Sequence, residues 1–520
     1  MSFAKVYSAQ TVGLGAKIID VEVDLSKGLH SFSIVGLPDK AIDESKDRIS
    51  ASIKNSGFKA PKNKNQKIVI SLAPADIKKE GPCFDTAMAI AYLLASDEIR
   101  FDPEKILFIG ELSLDGKLRR ISGVLPIVAE AKRKGFEEIF LPKENAVEGA
   151  LVDGIKIFGA NSITEIIAHI NTKETKDGEE VKILPQKIAK QIKTKVEEAE
   201  DETLIDFADI KGQETAKRGL EIAAAGRHNI AMFGPPGTGK TMLAKAFRHI
   251  LPPLTFDEVL EITSIHSIAG TLKEDLMSNP PIRSPHHTAS YVSIVGGGST
   301  PKPGEVTLAH GGVLFLDEFP EFDRKVLESL REPLEEGEIS ISRAKGSTTF
   351  PANFILIASM NPCPCGNYGS KGKECICRAQ DIARYQKKLS GPIIDRIDMW
   401  VEVSQVDYEK LGEKTVSKET EKIKSRVKEA RKIQEKRFEK TKRKTNSGMS
   451  SKEIIKVANV TDEAMEILKS SAQKLGLSAR AYHRVIKLAR TIADLEKSDE
   501  VKNTHILEAL QYRPKNNFAY

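Results

Sequence analysis

From residue 1 to about 165 the apolar side chains either alternate with polar ones or gather in short runs. Period-two stretches predict strands over Ala16 to Val23, Ser31 to Val35, Lys67 to Ser71 and Glu138 to Leu141. Three-to-four spacing predicts helices over Phe84 to Ala95 and Val124 to Lys134, so a mixed α+β domain is expected. Residues 169–205 carry many charges and few large apolar groups, and read as a linker with one solvated helix. Periodicity resumes at Phe207. A helix is expected over Glu214 to Ala225, and apolar runs at Asn229 to Phe233, Gly312 to Leu316 and Phe354 to Met360 are short enough for buried strands. Helical stretches at Met242 to Phe247 and Val326 to Leu334 lie between them, and alternation at Ile339 and Ile341 marks the first arm of a β-hairpin. A charged helical stretch from 409 to 447 leads into amphipathic helices over Thr461 to Ser470, Ala479 to Leu495 and Lys502 to Gln511, a small bundle. The expected architecture is multidomain, α/β and α+β, divided as 1–168, 169–205, 206–404 and 405–520.

Composition changes this picture little. The 79 Lys and Arg against 73 Asp and Glu leave a net charge of +6 over 520 residues, too mild to single out a nucleic-acid partner. The basic run Lys440-Thr441-Lys442-Arg443-Lys444 is either a solvated face or a nucleic-acid contact. The start Met1-Ser2-Phe3-Ala4-Lys5 lacks the pattern of a secretory leader, and no apolar run approaches a membrane span. Five cysteines, four of them clustered, suit a metal site in a reducing compartment better than a disulfide framework. A cytoplasmic chain with no membrane partner is expected.

Candidate chemistry centres on Gly234-Pro235-Pro236-Gly237-Thr238-Gly239-Lys240-Thr241, which fits the phosphate-cradling loop between strand and helix. Gly237 and Gly239 let backbone N–H groups turn toward phosphate oxygens, Lys240 neutralises β/γ charge, and the Thr241 hydroxyl suits Mg²⁺. ATP and Mg²⁺ are the expected ligands. The run from Gly312 ends in Asp317 and Glu318: Asp317 suits the Mg²⁺ shell, and Glu318 the attacking water. Asn361 ends the next run, placed to hold that water or the γ-phosphate. Beyond it, Cys363, Cys365, Cys375 and Cys377 form two close pairs that can supply four thiolates to one structural Zn²⁺, the alternative being reduced thiols in a surface loop. His286 and His287 follow Arg283; adjacent histidines share no face, so a Gly-rich insertion near a ligand is preferred to a metal pair. Arg343 and Lys345 fall at the hairpin tip, as projecting cations or as an ordinary polar turn. Arg396, flanked by Asp395 and Asp398, is an intramolecular salt bridge or a finger into a neighbouring site. Arg480 and Arg484 share a helix face.

Gly110-Glu111-Leu112-Ser113-Leu114-Asp115-Gly116, with Ile121-Ser122-Gly123 and Leu141-Pro142-Lys143-Glu144-Asn145, resembles the proteolytic domain of Lon-type ATP-dependent proteases. Where that family carries its serine this chain has Gly81-Pro82-Cys83, and the activating lysine falls on Ile127. An aliphatic side chain cannot accept the nucleophile's proton, so this domain is expected to be proteolytically inactive. The order of motifs after it is the plan of AAA+ ring ATPases. With Asn361-Pro362-Cys363-Pro364-Cys365-Gly366 and Ser390-Gly391-Pro392-Ile393-Ile394-Asp395-Arg396-Ile397-Asp398, the whole chain resembles the magnesium-chelatase-like YifB/ComM family. That resemblance implies a Lon-protease-like N-terminal domain, an AAA+ P-loop α/β core and a C-terminal helical bundle. It also implies a homo-hexamer with ATP between subunits, Arg396 acting in trans and Arg480 as a second sensor. ComM-like members are DNA motors for branch migration, with Arg343 and Lys345 lining the pore against DNA phosphates. A chelatase-type motor remodelling a protein partner for metal insertion, or a remodeller unrelated to DNA, is the alternative.

Overall fold

The computed structural model describes residues 2–63, 65–173, 184–194, 205–272, 274, 276–298, 302–343, 346–369, 373–405, 419–441 and 444–514. They divide into two compact units, Met1–Glu197 with Phe256–Met277, and Glu198–Thr255 with Ser278–Tyr520.

The first unit is built on seven strands: β1 (Phe3–Val12), β2 (Gly15–Lys27), β3 (Ser31–Val35), β4 (Gln66–Ala73), β5 (Ile106–Phe108), β6 (Glu138–Pro142) and β7 (Lys156–Ala160). They lie in the order β3-β4-β2-β1-β5-β6-β7. The β1–β2 and β2–β4 pairs are antiparallel, whereas β5, β6 and β7 run parallel, as expected where helical crossovers connect them. Helices α1 (Lys40–Asn55) and α2 (Asp85–Ala95) pack on one face through Ile42, Ile49, Ile53, Met88 and Ile90. Helix α3 (Val124–Arg133) packs on the other through Val124, Ile127 and Val128, and α4 (Ile163–Ile170) closes the fold. The strands and helices expected in this domain all occur, with ends shifted by a few residues; β1, β5, β7, α1 and α4 were not foreseen.

Burial pushes the Cys83 thiol up to about 12, and Ile127 is 1% exposed among apolar neighbours. Neither position offers an activated nucleophile. Part of the expected linker adheres to this unit. Gln186 N donates to Ala168 O, Gln191 N to Ile157 O and Thr194 N to Ala150 O, at 2.8–3.2 Å. Residues 184–194 thus run from α4 past Ile157 of the edge strand β7 to Ala150.

In the second unit, α5 (Glu214–Gly226) precedes β8 (Ile230–Phe233) and α6 (Lys240–Ile250). The next helix, α7 (Phe256–Ala269), falls within the span expected as ATPase core but belongs to the first unit. Its Ser267 hydroxyl accepts from Gly123 N at 2.8 Å and donates to the buried Glu148 carboxylate at 2.5 Å, and Glu148 also caps Leu125 N at 3.0 Å. These polar anchors, with buried Val259, Ile262 and Ile265, explain why α7 departs from the core.

Strands β9 (Ile282–Arg283), β10 (Val313–Leu316), the hairpin β11 (Glu338–Arg343) and β12 (Gly346–Pro351), β13 (Ile355–Met360) and β14 (Met399–Glu402) follow. The central sheet has the order β9-β10-β13-β8-β14 and is entirely parallel. Strand β8 lies between β13 and β14, so the chain leaves it in one direction and returns on its other side. The loop after β8 therefore opens into the crevice where α/β sheets bind ligands. Helix α8 (Ala379–Gln386) precedes β14. Helices α9 (Glu419–Phe438), α10 (Asp462–Leu475), α11 (Ala479–Leu495) and α12 (Asn503–Gln511) form the C-terminal bundle, whose apolar core is continuous with that of the sheet. The stretch expected as one helix from Val326 to Leu334 is two, Arg324–Ser329 and Arg331–Glu336. Among the described residues no helix is long and apolar enough to cross a membrane.

Candidate active site

Strand β8 delivers the chain into a turn that requires glycine: a Cβ on Gly234 would lie 2.0 Å from Val403 O. Gly237 and Gly239 take φ of 77° and 88°, left-handed values that turn successive N–H groups inward, and α6 starts at Lys240. Lys240 Nζ donates to Gly234 O and Pro235 O, both at 2.8 Å, and to Asn361 Oδ1 at 3.3 Å. Thr238 Oγ1 donates to Pro235 O at 3.0 Å. From the entry segment, Gln213 Nε2 donates to Thr238 O at 3.3 Å and to Ser404 O at 2.7 Å, bracing the loop between α5 and β14. Sequence reasoning did not single out Gln213.

Asp317, just past β10, accepts from the Thr241 hydroxyl at 2.9 Å and from the Ser359 hydroxyl of β13. The oxygens of Thr241 and Asp317 are the hard donors that Mg²⁺ takes, so these residues fit a Mg²⁺–triphosphate. Ser359 was also missed, although a serine two residues before Asn361 in an otherwise apolar strand was a visible signal. Glu318 has φ of 52°, left-handed for a residue with a side chain, and its Oε2 lies 3.1 Å from His287 Nδ1. His287 lies against His286 with ring centroids 4.2 Å apart and the planes tilted by 33°. Arg283 is held in a fork by Glu305 at 2.5 and 2.8 Å.

Lys240 is thus hydrogen-bonded to Asn361, and the next residue, Thr241, to Asp317. Arg396 and Arg480 meet elsewhere in the same unit, at Glu335. Arg396 is 7% exposed, donates to Arg331 O at 3.1 Å and Pro392 O at 2.8 Å, and pairs with Glu335. Arg480 Nη2 reaches the other Glu335 oxygen at 3.2 Å. Of the two readings open at Arg396, the intrachain salt bridge is present. Arg484 pairs with Asp398 at 3.3 Å, and Asp398 also accepts from Asn229 N at 3.0 Å and lies 3.6 Å from His228. Arg343 ends β11, while Lys345, Lys442 and Arg443 lie outside the described residues.

The thiols of Cys363, Cys365, Cys375 and Cys377 all lie within 4.8 Å of one another, the one such group of metal-ligating side chains among the described residues. Separations of 3.4, 3.7 and 3.6 Å link the first three sulfurs. A tetrahedron of thiolates about 2.3 Å from Zn²⁺ has edges of about 3.8 Å, so the cluster has the right size. Backbone N–H groups support it: Tyr368 N donates to Cys363 Sγ at 3.3 Å and Cys365 N to Cys377 Sγ at 3.4 Å. Amide donors from Asn367 and Ile376 help bring the Cys365 thiol down to about 6.

Two electrostatic features have measurable consequences. Burial lowers the Lys240 ammonium to about 8, against the opposing pull of Asp317. Before nucleotide binds, Lys240 therefore loses its proton near pH 8, and triphosphate charge at the loop is expected to restore it. ATP affinity is expected to fall above about pH 8, approaching ~tenfold per pH unit, with proton uptake seen by calorimetry in buffers of different ionisation enthalpy. Asp398 shows the reverse shift. Burial alone would raise it, but Arg484 and His228 hold its carboxyl well below the usual range. Its folded value is depressed, so its contribution is present above about pH 4 and lost as pH falls through the acid range. Asp398→Asn leaves Arg484 facing an uncharged partner and is expected to cost on the order of 3 kcal/mol near neutrality, with a smaller difference from wild type in acid, read by urea titration.

Three family models match this chain: "Magnesium chelatase, subunit ChlI" over residues 206–411, "Subunit ChlI of Mg-chelatase" over 21–145, and "Magnesium chelatase, subunit ChlI C-terminal" over 417–513. With the parallel sheet, phosphate loop and Asp317–Thr241 pair, they define a magnesium-chelatase-like AAA+ ATPase that uses ATP and Mg²⁺. Competence protein ComM of Haemophilus influenzae is 42% identical across 99% of this chain and 98% of its own length. The Escherichia coli protein YifB is 40% identical across 99% and 97%. Lon protease 2 of Bacillus subtilis is 31% identical over 26% of each chain, in keeping with the Lon-like N-terminal region. The chain belongs to the YifB/ComM family.

Proposed function

We propose that this ATPase is a ring motor acting on DNA, a ComM-like branch-migration helicase that hydrolyses ATP between the subunits of a homo-hexamer in the cytoplasm. The observation that carries the reading is the match to Competence protein ComM along essentially the whole chain, N-terminal domain included. Each subunit binds its own nucleotide through the 234–241 loop, with Asp317 and Thr241 at the metal and Asn361 at the γ-phosphate. Glu318 activates the water. Arg396 of a neighbouring subunit stabilises charge on the transferring phosphoryl group, and Arg480 senses the bound nucleotide. Arg343 and Lys345 follow the phosphate backbone, so DNA binding weakens with salt. The cysteine cluster holds a structural Zn²⁺, since four protein ligands leave no open position. The deciding experiment measures ATP hydrolysis with no DNA, single-stranded DNA and a branched junction at low and high salt. Stimulation by DNA that fades with salt supports the motor. A turnover unchanged by both DNAs, with no DNA bound at low salt, overturns it.

A further inference from the structure

The metal-ligating loop is built into the nucleotide site from two directions. Cys363 is fully buried and lies two residues beyond Asn361, whose side chain accepts from Lys240. The turn closing the first cysteine pair comes next. Gly366, at φ 81°, lies so close to the phosphate loop that a Cβ would sit 2.6 Å from Pro236 Cδ and 3.8 Å from Asn361 Cγ. The second pair, Cys375 and Cys377, leads into α8, whose buried Tyr385 has its hydroxyl close enough to the Asn361 backbone to be acted on by it. Both arms of the loop therefore end on Asn361, and its turn rests on Pro236. An ion joining the two pairs would tie Cys363 and Cys365 to Cys375 and Cys377 and remove freedom that the open loop would keep.

We propose that the four-cysteine centre is coupled to the phosphate loop: a thiophilic divalent ion held there sets Asn361 and Pro236 for the triphosphate, and bound triphosphate tightens the hold on the ion. The inference rests on the reading that the cluster binds zinc, and extends it from a passive clip to a determinant of nucleotide affinity. Linkage makes the effect reciprocal: whatever factor the ion contributes to ATP affinity, ATP contributes to ion affinity. A typical coupling places that factor on the order of tenfold. Gly366→Ala should lift the turn from Pro236 and reduce the coupling while leaving all four thiols in place.

The test uses the full-length protein. Metal content after reconstitution with zinc is measured first, on wild type and on Cys375→Ser. Zinc affinity is then measured by equilibrium competition with a chromogenic chelator, with and without Mg²⁺ and a slowly hydrolysed ATP analogue. A fluorescent ATP analogue is titrated into zinc-loaded and zinc-stripped protein. The expected result is one zinc per wild-type chain, less in Cys375→Ser, and matching shifts of about tenfold in the two affinities, reduced in Gly366→Ala. One zinc per chain with both affinities indifferent to the other ligand overturns the coupling and leaves the zinc reading standing. No specific zinc on wild type overturns both. If Gly366→Ala fails to fold, by circular dichroism, the wild-type reciprocity alone decides.

Discussion

Glu318→Gln is expected to lower ATP turnover about a hundredfold or more while ATP affinity stays within about a factor of three of wild type. The split follows from where the contacts lie. The groups proposed to hold triphosphate and Mg²⁺ are Lys240, Thr241 and Asp317, and none depends on the Glu318 carboxylate: Asp317 is fixed by Thr241 and Ser359. Glutamine keeps the shape and a hydrogen-bonding tip, but cannot take a proton from water. Single-turnover hydrolysis and equilibrium binding of a fluorescent ATP analogue separate the two quantities. A variant that loses binding and hydrolysis in proportion would make Glu318 a structural residue. His287→Ala serves as the comparison. It removes the imidazole 3.1 Å from Glu318 without removing the carboxylate, so turnover is expected to stay within about tenfold of wild type. A loss as large as that of Glu318→Gln would mean that the histidine, and not the carboxylate alone, carries the proton transfer.

Much of this arrangement was legible in the sequence because it is local. A phosphate loop is eight consecutive residues, and a strand ending in Asp-Glu announces itself. Helix α11 runs from Ala479 to Leu495, the limits that its amphipathic spacing suggests. Elements whose buried faces contain polar residues were harder to see. Helix α1 buries Ser45, Ser50 and Ser52 beside Ile42, Ile49 and Ile53, and β1 buries Ser8 and Gln10, which dilutes the hydrophobic period in both. Helix α7 was missed as part of the first unit for another reason. Its partners Gly123 and Glu148 lie more than a hundred residues away, and nothing in its own period says which surface it covers. The same holds at the site. Ser359 reaches Asp317, Gln213 reaches Ser404, and Glu335 gathers Arg396 and Arg480, all pairings that only the fold creates.

Arg396→Ala is expected to lower hydrolysis at least about tenfold, and up to the several orders of magnitude typical of an arginine finger, with ATP binding preserved. Within its own chain Arg396 is tied by Arg331 O, Pro392 O and Glu335, so a role in a neighbour's site requires that these contacts be exchanged for phosphate oxygens. The exchange is chemically even-handed, since a guanidinium fork suits a carboxylate and a phosphate alike. Leaving Glu335 would also release its second partner, Arg480, so the two arginines are expected to move together. Loss of activity in Arg396→Ala alone would not separate a finger from a lost intrachain brace, and mixing does. Subunits carrying Lys240→Ala are expected to bind no nucleotide but keep Arg396, whereas subunits carrying Arg396→Ala are expected to bind nucleotide but lack the proposed finger. In a mixed ring, the second kind sits beside the first and regains a complete site. Recovery of hydrolysis on mixing the two inactive proteins, greatest near equal proportions, places Arg396 in trans. Mixtures as inactive as their components, from variants whose folding and assembly match wild type, would confine it to the brace with Glu335.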